Sequence, residues 1–341
     1  ISNGLHDNVR IVNTLGTLTA TLTNGTIGLN DTTNGGDGLH VEASGSASVT
    51  LSATGVAFSG ARGSFVDVAA SNTANVNVTF TNCHTAMAGP GVLIVGGGAA
   101  SNVTLGYTIT GTGAGMIRGG GTAATAIGAQ AILVDTLTGS GTATGVISNL
   151  FVGVAASLRS GNPIRVRTGG TFAHNVQIDS VTGREIYSAS GTAAIDLENA
   201  GTAGTTFNAQ VVSNNMTCSS DGTNALANVL LHRTTGTSTT GCLRVANNNL
   251  DASALPFGQD AVQLLYSDPT GTSGYTIVPN YAGSASGESA TACAVGTASA
   301  DLGTFWAGVT NTLTNGGFPL GANGVDARRV CNAVGGAGSC P

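Results

Sequence analysis

Nine times along this chain of 341 residues, a short alternating pattern of apolar–x–apolar returns at intervals near 30 residues. It occurs as Val9-Arg10-Ile11, Leu39-His40-Val41, Val66-Asp67-Val68, Val92-Leu93-Ile94 and Ile132-Leu133-Val134. It continues as Ile164-Arg165-Val166, Ile195-Asp196-Leu197, Val229-Leu230-Leu231 and Val262-Gln263-Leu264. The steps between first residues are 30, 27, 26, 40, 32, 31, 34 and 33. A period of this size marks stacked copies of one small unit, none of which can bury its apolar face alone.

Further period-two runs follow each copy, among them Val49-Thr50-Leu51, Val76-Asn77-Val78, Val103-Thr104-Leu105 and Val176-Gln177-Ile178. Clusters of Gly, Asn, Asp and Ser separate them. Two or three strands per coil, with no amphipathic helix between them, leave few options, and leucine-rich repeats would show their Leu/Asn consensus. Propeller blades need about 40–45 residues each. The expectation is an all-β parallel β-helix solenoid of about nine coils over residues 1–275, a rod of roughly 40 Å at about 4.8 Å per coil. The 40-residue step carries Gly111-Thr112-Gly113-Ala114-Gly115 and Gly119-Gly120-Gly121, a loop leaving one coil. Residues 276–341 form a C-terminal capping segment, in which Ser299-Ala300-Asp301 opens a short helix bearing Leu302, Trp306, Val309 and Leu313. Asn24, Asn82, Asn149, Asn215 and Asn248 recur near strand ends, where Asn tolerates left-handed angles and can hydrogen-bond its copy in the next coil.

Composition narrows the partners. The chain is 41% hydrophobic with 53 Gly, which suits small stacked side chains and argues against disorder. Only 8% of residues are charged, all eleven basic residues are Arg, and the net charge is −6. That balance excludes the basic stripe of a nucleic-acid interface, and no apolar run is long enough for a membrane-spanning helix. Of the six Cys, Cys218 and Cys242 lie within one repeat length and are candidates for a bridge between neighbouring turns. Cys293, Cys331 and Cys340 offer a pair in the tail, and Cys83 is either a buried thiol or a partner for a tail Cys. No CxxC…CxxC spacing is present, and the sequence implies neither a metal nor a cofactor.

Alternation sends the middle residue of each repeat, and the residue following it, outward. Stacked, these form two columns. The first runs Arg10, His40, Asp67, Leu93, Leu133, Arg165, Asp196, Leu230, Gln263. The second runs Val12, Glu42, Ala69, Val95, Asp135, Arg167, Glu198, His232, Leu265. Asp135, Arg165, Arg167, Asp196, Glu198 and His232 then gather within four coils, the candidate ligand-binding cluster of a charge-poor chain. The same arrangement reads more simply as cross-strand charge pairs, with Arg165 beside Asp196 and Arg167 between Asp135 and Glu198. Asn34-Gly35-Gly36-Asp37-Gly38-Leu39 shares part of a calcium-binding nonapeptide pattern but neither completes nor repeats it. His6, His84 and His174 stand apart from any grouping.

Gly-Asp-Gly-Leu-His-Val (Gly36–Val41) and Thr-Leu-Thr-Asn-Gly-Thr-Ile (Thr21–Ile27), in phased coils, resemble the right-handed parallel β-helices of large secreted bacterial surface proteins, autotransporter-passenger adhesins among them, within the pectate-lyase-like superfamily. The resemblance covers about residues 1–275. It implies an extracellular or cell-surface location, an adhesive or structural role without catalysis, and self-association head-to-tail or laterally, with a surface glycan or receptor as a possible partner. The superfamily's enzymes supply the alternative of a polysaccharide lyase, hydrolase or glycan-binding module on an exposed sheet face. The polygalacturonase-type Gly-His-Gly and Arg-Ile-Lys motifs and a pectate-lyase-type three-Asp cluster are not present. A trimeric phage tail-spike segment is a third reading.

Overall fold

The computed structural model describes residues 1–278, with gaps at 3, 29–35, 60, 62, 86–90, 112–115, 118–120, 123–129, 153–157, 160–162, 187–192, 203, 219–227, 235–238, 252–259 and 269–273. Beyond these it describes Thr312–Thr314 and Cys331–Val334, and past Asp251 the description is of the backbone.

Within this range the chain is a parallel β-solenoid with three walls. The first wall stacks Val9–Asn13, Leu39–Ala43, Val66–Ala70 and the leading halves of two long strands, Val92–Thr110 and Ile132–Ser148. It goes on through Ile164–Thr168, Ala193–Asn199, Asn228–Thr234, Asp260–Asp268 and Cys331–Val334, each pairing in parallel with the next. The second wall runs from Thr17–Thr23 through Ser48–Thr54, Asn75–Thr81, the trailing halves of the long strands, Thr171–Asp179, Thr206–Val212 and Thr240–Ala246 to Gly274–Val278. The third wall is narrower, running from Thr26–Ile27 through elements such as Phe151–Val152 to Thr312–Thr314.

About five complete turns are described, against the nine expected; farther along, the ladders persist in the backbone while many connecting loops fall outside the described residues. Part of the expected Gly-rich excursion is visible. Gly121–Thr122 pairs antiparallel with Leu158–Arg159, apart from the three walls. The expected cap helix lies mostly outside the described residues. Its last apolar position, Leu313, is instead on a strand opposite Leu250, so that end of the segment extends a ladder.

The alternation of the sequence fills the interior. Leu39, Val66, Val92, Ile132, Ile164 and Ile195 are in register in successive coils, and all are buried. Val41, Val68, Ile94, Val134, Val166 and Leu197 form a second inward column beside them. Each such side chain contributes roughly 1.5–3 kcal/mol of burial, so the rod's stability is a sum over repeats.

The bends between walls are made by residues that accept positive φ. The bend from first to second wall uses Gly16, Gly45, Asn72 and Gly170, at φ 76, 62, 58 and 56°. The bend from second to third wall uses Asn24, Asn82, Asn149, Ser180, Ser213 and Asn247, at φ 49–57°. The Asn residues picked out by the sequence thus divide into two roles. Asn24, Asn82 and Asn149 turn the chain. Asn215 and Asn248 belong to side-chain ladders: Asn249 Nδ2 donates to Asn215 Oδ1 at 3.0 Å, and the buried Asn248 Oδ1 accepts from Asn214 N at 2.9 Å.

One register departs from expectation by a single residue. Ile195 stands opposite Leu230, not Val229, and Leu197 opposite His232. His232 is therefore inward and fully buried, not a member of the outward column, and its ring stacks on Phe207 at 5.9 Å. Arg233 takes the outward place beside Glu198. The run Val229-Leu230-Leu231 is apolar throughout and permits either phase; Arg233 decides. With Val229 and Leu231 inward, Arg233 would point inward too, and burying a guanidinium costs far more than burying a neutral imidazole.

Candidate functional site

The outward columns carry two charged groupings, and the register fixes both. In the first, Arg165 pairs opposite Asp196, while Arg167 stands opposite Asp135 on one side and Glu198 on the other. Arg165 Nε lies 3.1 Å from Asp196 Oδ2, and its Nη2 donates to Glu198 Oε2 at 3.1 Å. Arg167 donates from Nε to Glu198 Oε2 at 3.1 Å and from Nη1 to Asp135 Oδ2 at 3.2 Å. Arg233, which the sequence columns missed, donates from Nη2 to both Asp196 Oδ2 (3.1 Å) and Glu198 Oε2 (3.0 Å).

Five of the six residues expected to cluster are brought together; His232 is not, and Arg233 completes the set. The result is three guanidiniums against three carboxylates, a network with no net charge. Asp196 is wholly buried and Glu198 nearly so, since all seven residues of Ala193–Asn199 are buried on both faces of the strand. A glycoside hydrolase needs one carboxyl carrying a proton and a second one free to attack or activate water. Here every carboxylate already has a guanidinium within 3.2 Å. The geometry is that of an electrostatic clamp between coils.

The second grouping lies on the outer face of the first three coils. His40 stands opposite Asp67, and Arg10 opposite His40. His40 Nδ1 is 3.0 Å from Asp67 Oδ2 and 3.5 Å from Asp37 Oδ2, while Nε2 is 3.8 Å from Glu42 Oε2. Asp37 is anchored at the bend before the first wall: its backbone N–H donates to Asp7 Oδ1 at 2.8 Å, and its Oδ1 accepts from Ser64 N at 2.6 Å. Burial lifts the Asp37 carboxyl above the usual carboxylate range despite the Ser64 bond, and the nearby charges of Asp67 and Asp7 push the same way. His40, Glu42 and Asp67 stood in the sequence columns, but Asp37 precedes its strand, so alternation alone could not place it beside them.

Other singled-out residues have interior roles. His174 is fully buried on the second wall, and its ring is pushed down to about 3 by loss of water. Tyr107 Oη sits 2.9 Å from His174 Nε2, reaching across the intervening coil over Gly145, where any Cβ would collide with the Tyr107 ring. Edge-to-face Tyr107–His174, tilted His174–Phe207 and stacked Phe207–His232 form one aromatic column through the interior. Cys83 is a buried free thiol whose Sγ donates to Ala53 O at 3.5 Å, and burial raises its pKa. The backbone puts Cys218 on the third wall and Cys242 on the second. Their side chains, that of Cys331, and all of Cys293 and Cys340 lie outside the described residues.

No family model, no curated protein and no solved structure matches this chain.

Proposed function

We propose that this chain is a non-enzymatic structural or adhesive rod of an extracellular bacterial surface assembly, related in kind to the pectate-lyase-like β-helices of secreted surface proteins. The observation that carries this reading is the Asp135–Arg167–Glu198–Arg165–Asp196–Arg233 network. Among the described residues, this six-member network spends its charge on itself and clamps four consecutive coils. Composition supports the reading further: outward positions rich in Thr, Ser, Asn and Ala favour close lateral packing over a defined reaction centre.

Self-association is part of the proposal. Val9–Asn13 pairs with Leu39–Ala43 and Thr17–Thr23 with Ser48–Thr54, while Thr26–Ile27 pairs with Ala57–Phe58 and is flanked by Ile1, which donates to Thr26 O at 3.0 Å and accepts from Gly28 N at 2.6 Å. The inward residues Val9, Ile11, Leu18, Ala20 and Leu22 are packed against the core yet only partly buried. A wall built from one repeated parallel coil can accept a further coil of the same repeat, and the proposed source is a second copy of this chain.

The test has two arms. The purified chain is incubated with acidic and neutral polysaccharides and assayed for binding and for new reducing or unsaturated ends; cleavage abolished in Asp196→Asn would overturn the non-enzymatic reading. Light scattering and negative-stain images over rising concentration should show growing assemblies. Isolated particles at every concentration would remove self-association.

A further inference from the structure

We propose that Asp37, His40 and Asp67 form a divalent-cation site on the outer face of the second and third coils, taking a first-row ion such as Zn²⁺ through one imidazole nitrogen and two carboxylate oxygens. The proposal is independent of the reading as a structural rod. The three ligand atoms lie within 4.8 Å of one another. The separations from His40 Nδ1, 3.0 Å to Asp67 Oδ2 and 3.5 Å to Asp37 Oδ2, equal the edges of a coordination shell whose bonds are about 2.0–2.2 Å. An ion seated there would replace the His40–Asp67 hydrogen bond and draw both carboxylates into one shell with the imidazole.

Three further observations point the same way. The imidazole is addressed on both nitrogens. Nδ1 donates to Asp67 Oδ2 at 3.0 Å, and Nε2 faces Glu42 Oε2 at 3.8 Å; an ion taking the place of the Nδ1 proton leaves the ring its Nε2–H, on the side where Glu42 stands as an outer partner. The Asp37 carboxylate is held from behind: Ser64 N–H occupies Oδ1 and leaves Oδ2 directed at the imidazole. Charge is the third. Among the described residues, the carboxylates of Asp37, Asp67 and Glu42 surround His40, and the Arg10 guanidinium reaches Glu42 at 3.3 Å and Asp7 at 3.9 Å. The clamp of the later coils balances three against three; among the described residues this grouping has more carboxylates than guanidiniums, a balance that a divalent ion would move toward neutrality. The donors are each less than one-fifth exposed, within reach of solvent yet fixed by the wall beneath them.

The donor set selects the ion class. One nitrogen and two oxygens, with water completing the shell, suits Zn²⁺ or Mn²⁺ better than Ca²⁺, which prefers six to eight oxygens.

The experiment is a calorimetric titration of the intact, EDTA-stripped chain with Zn²⁺, its accessible thiols alkylated so that the probe reports nitrogen and oxygen donors. Wild type should bind one ion that His40→Gln and Asp67→Asn each lose or weaken at least tenfold. Glu42→Gln should weaken it by a smaller factor, as outer partners of metal-bound His do, and His84→Gln should leave it unchanged. Should His40→Gln fail to fold, Asp67→Asn and Glu42→Gln, both at surface positions, give the same readout. The proposal is overturned if wild type shows no saturable binding at millimolar Zn²⁺, if both ligand variants keep wild-type stoichiometry and affinity, or if His84→Gln loses the same ion.

Discussion

The coils at Leu39–Ala43 and Val66–Ala70 and those at Ile164–Thr168, Ala193–Asn199 and Asn228–Thr234 place charges in the same two outward columns, yet treat them oppositely. In the early coils each strand alternates between buried and half-buried residues, so the outer face meets water and its carboxylates outnumber its guanidiniums. In Ala193–Asn199 both faces are buried, and every charge has an opposite neighbour in the next coil. The backbone ladder is the same in both. Burial of the outer face turns a surface charge into a structural element, because a charge taken out of water must be paired.

Removing one partner should therefore have very different consequences in the two regions. Glu198→Ala leaves Arg165, Arg167 and Arg233 short of a shared acceptor. The expected loss is about 3–5 kcal/mol in urea unfolding, the usual penalty for breaking a buried pair. Glu42→Ala in the early coils should cost under about 1 kcal/mol, since both partners of its Arg10 bridge are largely exposed. Equal losses at the two sites would break the contrast.

Acid should find the interior of the later coils before it finds the early ones. His174 and His232 both have pKa values pushed down to about 3 by burial, from an ordinary 6.5. The unfolded chain then binds protons that the folded chain refuses. Stability is full above pH 6.5 and falls as pH drops from there toward about 3, by on the order of a few kcal/mol for each ring. Thermal unfolding followed across this range should show the decline, and His232→Leu should flatten it. An unchanged slope in that variant would assign the acid sensitivity elsewhere.

Smaller effects sharpen the picture of the coil itself. Gly145→Ala drives a methyl group into the Tyr107 ring and separates Tyr107 from His174. Overpacking of this kind costs about 1–3 kcal/mol and is measurable as a lower urea midpoint. Asn149→Ala, at φ 52°, should cost about 1–2 kcal/mol for a left-handed alanine, and Asn149→Gly should restore most of it.

Much of the fold was legible because its information is local and repeated. Val9, Leu39, Val66, Val92, Ile132, Ile164 and Ile195 announce the first wall through parity alone, and parity is what a strand obeys. The candidate clusters were legible only in part. The columns joined Arg165 to Asp196 and Arg167 to Glu198 because neighbours in a stacked wall follow from the period. They misplaced His232 because Val229-Leu230-Leu231 has no polar residue to mark its phase. Asp37 escaped them because it belongs to a bend, where no period applies.

By itself the sequence determined that this chain winds: a repeat near 30 residues, apolar on alternate positions, can satisfy its backbone and bury its side chains only by stacking. The tertiary structure decided which charges are clamped and which face water, where Tyr107 crosses a coil to reach His174, and that a histidine lies inside while an arginine lies outside at 232 and 233. Those outcomes depend on the energy of burying a particular group against its neighbours in space, a quantity that no interval along the chain encodes.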